Sequence, residues 1–308
     1  MMARNIALIT LGLLLTGVAG CAKLHGGLKQ VHGQELSELA NNDIKESSGL
    51  AFSQRSRNIL WTHNDSGDMP RIFAFDLNGR DMGVFEIEGA RAIDWEDMAS
   101  VLIGSESYLI IADVGDNTHQ RDFYTIYLVR EPEIDFTHEN ANGVLGIARE
   151  ITFRYEDGPK DCEAVAIEPT TKTIFLVTKT LGAKCKVYSL PLNTVTQGEI
   201  VTARVVAFLK INLATAMDIS PDGRRAVILT YRNAHEFIRN KGEKWAEAFK
   251  RKASVIRMPS RHQGESICYG PDGMTLYLTS EKYPSPLWEV RIPRKIGNNS
   301  LSYKLFAI

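Results

Sequence analysis

The chain repeats one pattern of polar and apolar positions five times. The copies read Glu46-Ser-Ser-Gly-Leu-Ala51, Asp94-Trp-Glu-Asp-Met-Ala99, Asp161-Cys-Glu-Ala-Val-Ala166, Leu213-Ala-Thr-Ala-Met-Asp218 and Gln263-Gly-Glu-Ser-Ile-Cys268. Most open on a polar or acidic head, and all carry a large apolar residue in fifth place. A β-rich run follows each copy: Ile59 to His63, Leu109 to Asp113, Ile174 to Thr178, Ala226 to Thr230 and Leu276 to Ser280. A third strand follows each of those, at Arg71 to Phe75, Thr125 to Val129, Lys186 to Leu190, Ala253 to Arg257 and Leu287 to Arg291. Outer strands are expected at Gly83 to Ile87, Arg149 to Tyr155 and Ala203 to Leu209. The copies begin 48, 67, 52 and 50 residues apart. Several strands per unit at such a period predict an all-β fold, a single β-propeller. Five repeats are visible. The long second interval, or the two termini together, leave room for a sixth.

The rest of the chain is read against that ring. Glu131-Pro132 and Asn140 to Gly143, in the long interval, have loop chemistry. Val31 to Leu39 is expected as a strand beside the last blade, and Ser300 to Ile308 alternates like another. Ala234 to Lys252 breaks the β pattern, with Phe237, Trp245 and Phe249 spaced among charged residues. It predicts a short helical insertion, either packed on the disc or placed as a lid.

Topology then gathers the chemistry. In a four-stranded blade the innermost strand starts on one face, and the loop between the second and third strands returns to it. The five heads and five loops should therefore share one mouth of the central channel. That mouth collects Glu46, Asp94, Glu96, Asp97, Asp161, Glu163 and Glu265 from the heads. The loops add His63 to Asp68, Asp113 to Asn117 and Glu281, with Arg121, Lys179, Arg232 and Lys282 as basic partners. Converging carboxylates repel one another, and a bound cation is a common remedy. Glu46, Glu96, Glu163, Glu265, Asp113 and Asn64 form the expected metal set. Hard oxygen ligands favour Ca²⁺, with Mg²⁺ next. A structural reading stands beside it: Asn64 to Gly67 is also good turn sequence, and the head carboxylates could accept N–H bonds from neighbouring blades. His63 is either a candidate base or a turn residue. Trp61 and Trp95 either stack on a ligand or pack the core. Cys162 and Cys185 fall on one face of one blade, so a Cys162–Cys185 disulfide is expected. Cys268 reads as a buried free thiol.

The start of the chain is more specific than its composition. Arg4, an apolar run from Ile6 to Leu15, and Val18-Ala19-Gly20-Cys21 read as a signal peptide over residues 1–20. Small residues before Cys21 resemble the lipobox of bacterial lipoproteins. The resemblance implies cleavage before Cys21, lipidation there, and anchoring in the envelope. The outer membrane is favoured, with the protein facing the periplasm or the cell surface. Residues 21–34 then form a tether and 35–308 the propeller. The balance of 36 basic and 37 acidic residues gives no reason to expect nucleic acid as a partner. No phosphate loop, zinc spacing or Gly-x-Ser-x-Gly elbow is present.

At Glu46-Ser-Ser-Gly-Leu-Ala51 and Asp161-Cys-Glu-Ala-Val-Ala166 the chain resembles six-bladed TolB-like propellers, and the resemblance favours six blades. The heads are similar in kind to those of SMP-30/gluconolactonase-type and phytase-like propellers. The resemblance covers roughly 46–293 as architecture and matches no catalytic motif in full. It implies a metal at the channel mouth, centred on Glu46, Glu96, Glu163 and Glu265. The reading is a lipid-anchored propeller that binds a ligand or protein partner through this mouth. The alternatives are a metal-dependent hydrolase of a lactone or ester and a structural scaffold of an envelope complex.

Overall fold

The computed structural model describes residues 31–134, 141–182, 184–194, 198–281 and 283–293. Cys21, the 1–20 leader, Lys282 and the Ser300 to Ile308 segment lie outside them. A first strand, β1 (His32–Glu38), precedes the repeats. Blade one is β2 (Ser47–Phe52), β3 (Ile59–Asn64), β4 (Arg71–Asp76) and β5 (Asp81–Glu88). Blade two is β6 (Trp95–Ile103), β7 (Glu106–Asp113), β8 (Tyr124–Arg130) and β9 (Asn142–Tyr155). Blade three is β10 (Cys162–Ile167), β11 (Thr173–Thr178), β12 (Cys185–Pro191) and β13 (Val201–Leu209). Blade four is β14 (Ala214–Ile219), β15 (Arg225–Thr230), β16 (Asn233–Ile238) and β17 (Ser254–Arg257). Blade five is β18 (Ser266–Tyr269), β19 (Thr275–Thr279) and β20 (Pro286–Arg291), completed by β1, which pairs antiparallel with β20.

The described residues therefore form five four-stranded blades, and the favoured sixth is absent from them. The surplus of the second interval went into a longer strand. Residues Asn142 to Gly146 of β9 run parallel to β5, and Phe153 to Tyr155 run parallel to β13. Asn142 and Gly143, expected in a loop, are strand residues for this reason. The outer strands of blades one, two and three thus join into one continuous sheet. The termini do meet as expected on one side: β1 closes blade five.

Apolar side chains fill the five junctions between blades. Trp61 and Trp95 meet between blades one and two, and Tyr124 and Tyr188 between two and three. Further clusters occupy the remaining junctions: blades three and four, four and five, and five and one. Trp61 donates Nε1–H to Glu131 at 2.9 Å, and Trp95 donates to Arg91 O at 2.9 Å. Both tryptophans are core, not ligand platforms. Glu131, read as loop chemistry, is a buried carboxylate that also accepts from Ser107 and from the Gln54 N–H.

The helical insertion is smaller than the sequence predicts. Asn233–Ile238 is the third strand of blade four, which moves Ser254–Arg257 to the outer edge. The helix is a single turn, α1 (Trp245–Ala248). It follows β16, so it sits on the face opposite the heads and is no lid. Trp245, Ala248 and Phe249 pack into the junction between blades three and four, with Phe175 and Phe237.

The expected Cys162–Cys185 disulfide does not form; both thiols are free and buried. Cys162 begins β10 and Cys185 begins β12, with β11 between them. Strands two apart are separated by about 9–10 Å, beyond the roughly 7 Å a disulfide spans. The two thiols also face different junctions, Cys162 toward blade two and Cys185 toward blade four. Cys268 is a buried free thiol as expected.

Polar ties close the ring at its axis. The Asp97 carboxylate accepts the N–H groups of Met98, Val165 and Met217 at 2.8, 2.8 and 3.0 Å. One side chain thereby joins blades two, three and four. Asp218 accepts the Tyr269 N–H at 2.6 Å, joining four and five, and the Ser47 and Thr279 hydroxyls meet at 2.6 Å between one and five. Ser48 donates to Glu96 O at 2.6 Å between one and two. Replacing Asp97 by Ala orphans two inter-blade N–H groups and one local N–H. Each costs about 1–3 kcal/mol, so the expected loss is on the order of 3 kcal/mol, read from the denaturation midpoint.

Candidate functional site at the channel mouth

The innermost strands share a local irregularity that aims the site. Register breaks between Ser47 and Gly49, Trp95 and Asp97, Cys162 and Ala164, and Ala214 and Ala216. The skipped residues are Ser48, Glu96, Glu163 and Thr215, the third place of the repeat in four blades. Such a bulge leaves one residue unpaired and re-aims its side chain. Glu265 holds the same place in blade five, just before β18. The ring at the mouth is therefore Ser48, Glu96, Glu163, Thr215 and Glu265, all buried. Ser48 and Thr215 are used up as blade ties, the latter donating to Gly264 O at 2.8 Å. The three carboxylates remain.

One of them has a cation bonded to it. The Lys179 ammonium pairs with Glu163 and stands 5.4 Å from the centre of the Tyr231 ring. Burial pushes the Glu163 carboxyl up against the pull of Lys179, while the carboxylate holds the ammonium charged; the ion pair prevails at this contact. Burial also raises Glu265, with Lys179 opposing it.

Glu96 has none. It is 6% exposed, and no hydrogen bond among the described residues reaches its carboxyl. One of its oxygens lies within 4.8 Å of carboxylate oxygens of Asp65 and Asp94, and likewise within 4.8 Å of Asp161 and Glu163. Burial and the neighbouring carboxylates push Glu96 well up. Burial, then Asp65, raises Asp94 to about 6. On the blade-five side burial raises Glu281 to about 7.

Gly115 makes the convergence possible. A Cβ there would fall inside contact distance of Glu96 Oε1 and Asp94 Oδ2. Its backbone is outside the left-handed region, so the need for glycine is space and not conformation.

Of the expected metal set, Glu96, Glu163 and Glu265 lie together in the ring, and Glu96 and Glu163 belong to the two carboxylate groups. Glu46, Asn64 and Asp113 do not. Glu46 is exposed and borders a shallow pocket on blade one. Asn64 is consumed as a clamp: Oδ1 accepts the Lys45 and Glu46 N–H groups, and Nδ2 donates to Asp43 O and Asp68 at 2.7 Å each. Asp113 is neutralised by Arg121 at 2.8 Å and accepts the Asp94 N–H. Asp65, Asp94 and Asp161 take their places. His63 is fully buried against Trp95, 5.5 Å between ring centres, with Nδ1 bonded to Asn64 O. Burial lowers its pKa, and it is not a base facing the mouth. Tyr231 and Gly115 were missed by sequence reasoning. The Gly in Asp113-Val-Gly-Asp116 stands in a loop expected at the mouth, but nothing in the sequence shows that its small size makes room for Asp94 and Glu96.

Chemically, Asp65, Asp94 and Glu96 make an anionic pocket with no basic side chain bonded to it among the described residues. The arrangement suits a hard cation or an organic ammonium.

No protein-family model matches the chain, and no curated protein matches it. Among solved structures, a chain of a mitotic checkpoint complex crystal structure is similar at 12% identity, with a TM-score of 0.40. The match covers 80% of this chain and 62% of that one. The site rests on its own geometry and draws nothing from that likeness.

Glu96→Gln removes one charge from an uncompensated cluster. At pH 8 without added metal it should raise stability by about 1 kcal/mol, the worth of roughly one pKa unit, measured by urea titration. Gly115→Ala presses a methyl group at a buried position against the Asp94 and Glu96 carboxylates; it should lower stability by roughly 1–3 kcal/mol, the scale of an overpacked buried site, and weaken cation binding at the mouth. A stable Gly115→Ala protein with unchanged cation affinity would show that the Asp94–Glu96 convergence is irrelevant to binding.

Proposed function

We propose that this chain is a lipid-anchored β-propeller of the bacterial envelope that binds a ligand or protein partner through its acidic channel mouth. Ca²⁺ is the ion proposed for Asp65, Asp94 and Glu96. The observation that carries the reading is the buried Glu96 carboxyl, which has four acidic neighbours, Asp65, Asp94, Asp161 and Glu163, and no cation bonded to it among the described residues. Ca²⁺ accepts six to eight oxygens, so three carboxylates leave room for ligand oxygens or water.

The lipobox-like Val18-Ala19-Gly20-Cys21 supports anchoring at Cys21, and the outer membrane is the proposed location. The likeness of the heads to TolB-like, SMP-30/gluconolactonase-type and phytase-like propellers supports a metal at the mouth. The five blades among the described residues set the chain apart from the six-bladed class. Hydrolysis of a lactone or ester ranks behind binding, because His63, its candidate base, is enclosed between blades one and two.

The pH dependence has a definite sign. Asp94 has a folded pKa near 6, above its ordinary 3.8. Between those values the folded state holds more protons than the unfolded one. Stability of the ion-free protein therefore falls as pH rises through that window. The upward push on Glu96 extends the fall to higher pH. A bound cation favours the ionised carboxylates and reverses the loss. Added Ca²⁺ should raise the melting temperature by about 5 °C or more at pH 8, for an ion at a hundredfold excess over its dissociation constant. The rise should be clearly smaller at pH 5. Metal analysis of purified protein, with melts in EDTA and in Ca²⁺, is the check. No metal together with no Ca²⁺-dependent shift at either pH would defeat the proposal for the ion.

A further inference from the structure

The mouth has an apolar border as well as an acidic centre. Ten large apolar side chains are well exposed among the described residues, and five of them belong to loops on this one face. Met69 lies between β3 and β4, Phe123 between β7 and β8, Leu181 between β11 and β12, and Tyr283 between β19 and β20. Ile93 lies just before β6. They are 45–80% exposed and come from four of the five blades. Singly, such residues are ordinary; collected around one opening, they mark an interaction surface.

The chain itself shows how this mouth holds an organic cation. Lys179 places its ammonium on Glu163 and over the Tyr231 ring. The Asp65–Asp94–Glu96 pocket offers the same carboxylate chemistry, and no ammonium among the described residues is bonded to it. Arg121, the nearest candidate, is committed to Asp113 and to the Gly115 carbonyl at 2.8 Å.

We infer that the mouth docks a polypeptide segment of a partner that inserts a Lys or Arg side chain between Asp65, Asp94 and Glu96 while its apolar flanks rest on Met69, Ile93, Phe123, Leu181 and Tyr283. The inference rests on the binding reading above and names the partner's chemistry. The charge of the centre selects a basic residue, and the border selects apolar neighbours on both sides of it. Ca²⁺ and the inserted side chain compete for the same oxygens. An anionic membrane surface is disfavoured by the acidic centre.

The test pans a random dodecapeptide display library against the full chain in detergent micelles, in EDTA. Recovered peptides should carry a Lys or Arg flanked by apolar residues. Replacing that Lys or Arg by norleucine, which keeps the stem and removes the charge, should weaken binding at least about tenfold, the scale of a buried hot-spot contact. Glu96→Gln should cost a similar factor. Phe123→Ser combined with Leu181→Ser should weaken every recovered peptide, and millimolar Ca²⁺ should displace them. Recovery of no peptide, of peptides without a basic residue, or of binding that ignores both Glu96→Gln and the loop pair overturns the inference. So does rim-dependent co-sedimentation with phosphatidylcholine vesicles in the absence of peptide binding, which would assign the face to lipid. Ca²⁺-dependent melts on the same preparation separate the two claims: a Ca²⁺ shift without peptide binding removes only this inference. Peptide binding without a Ca²⁺ shift removes only the metal.

Discussion

The Asp97 carboxylate crosses the axis of the ring and accepts backbone N–H groups from blades three and four as well as its own. A blade cannot stand alone, because each of its faces is apolar and meets a neighbour. Apolar packing between blades is non-directional and would tolerate sliding. The Asp97, Asp218, Ser47 and Ser48 bonds fix the register of one inner strand against the next. Burial pushes the Asp97 carboxyl up, against the pull of the three N–H bonds it accepts. In the low dielectric of the interior those bonds are strong, and leaving any of them unmade would be expensive.

That fixed inner ring explains how the mouth can hold a cluster of acids. In four blades a bulge at the third place of the repeat re-aims that side chain, while Asp97, one residue on, secures the strand that carries Glu96. Blade three supplies its own cation through Lys179, which pairs with Glu163. Among the described residues Asp65 and Asp94 have no such partner. The local instability there is offset by the rest of the fold, as is common for sites kept ready for an external charge.

Much of the architecture was legible in the sequence, since strand positions follow directly from a repeated apolar pattern. Every expected β-run within the described residues became a strand, and Val31 to Leu39 did close the last blade. The blade count was not legible. It turned on whether 67 residues between two heads held a hidden blade or one long strand, and β9 resolves it through parallel pairing to β5 and β13. The heads showed which residues share the mouth, but not which are spent on other partners. Asn64 and Asp113 have the right ligand chemistry and are consumed by a turn and by Arg121. The bulges left no pattern of their own, because an unpaired residue in a strand looks like any other. The cysteines misled for a similar reason: sharing a face of the disc says nothing about which side of the blade a thiol points to.

The path of β9 has one more consequence, for how the disc meets other copies of itself. An unpaired outer strand is a template for adding a foreign strand. Along blade one the outer strand is occupied by β9, and that of blade three is occupied where Val201 to Ala203 meet it. The free perimeter shifts to blades four and five. There the chain offers little to pair with: β17 has four residues, and β1 is kinked between Glu35 and Ser37 and carries two glutamates. The same strand that obscured the blade count thus shields half of the rim from fibril-like growth, and brevity and irregularity guard the other half.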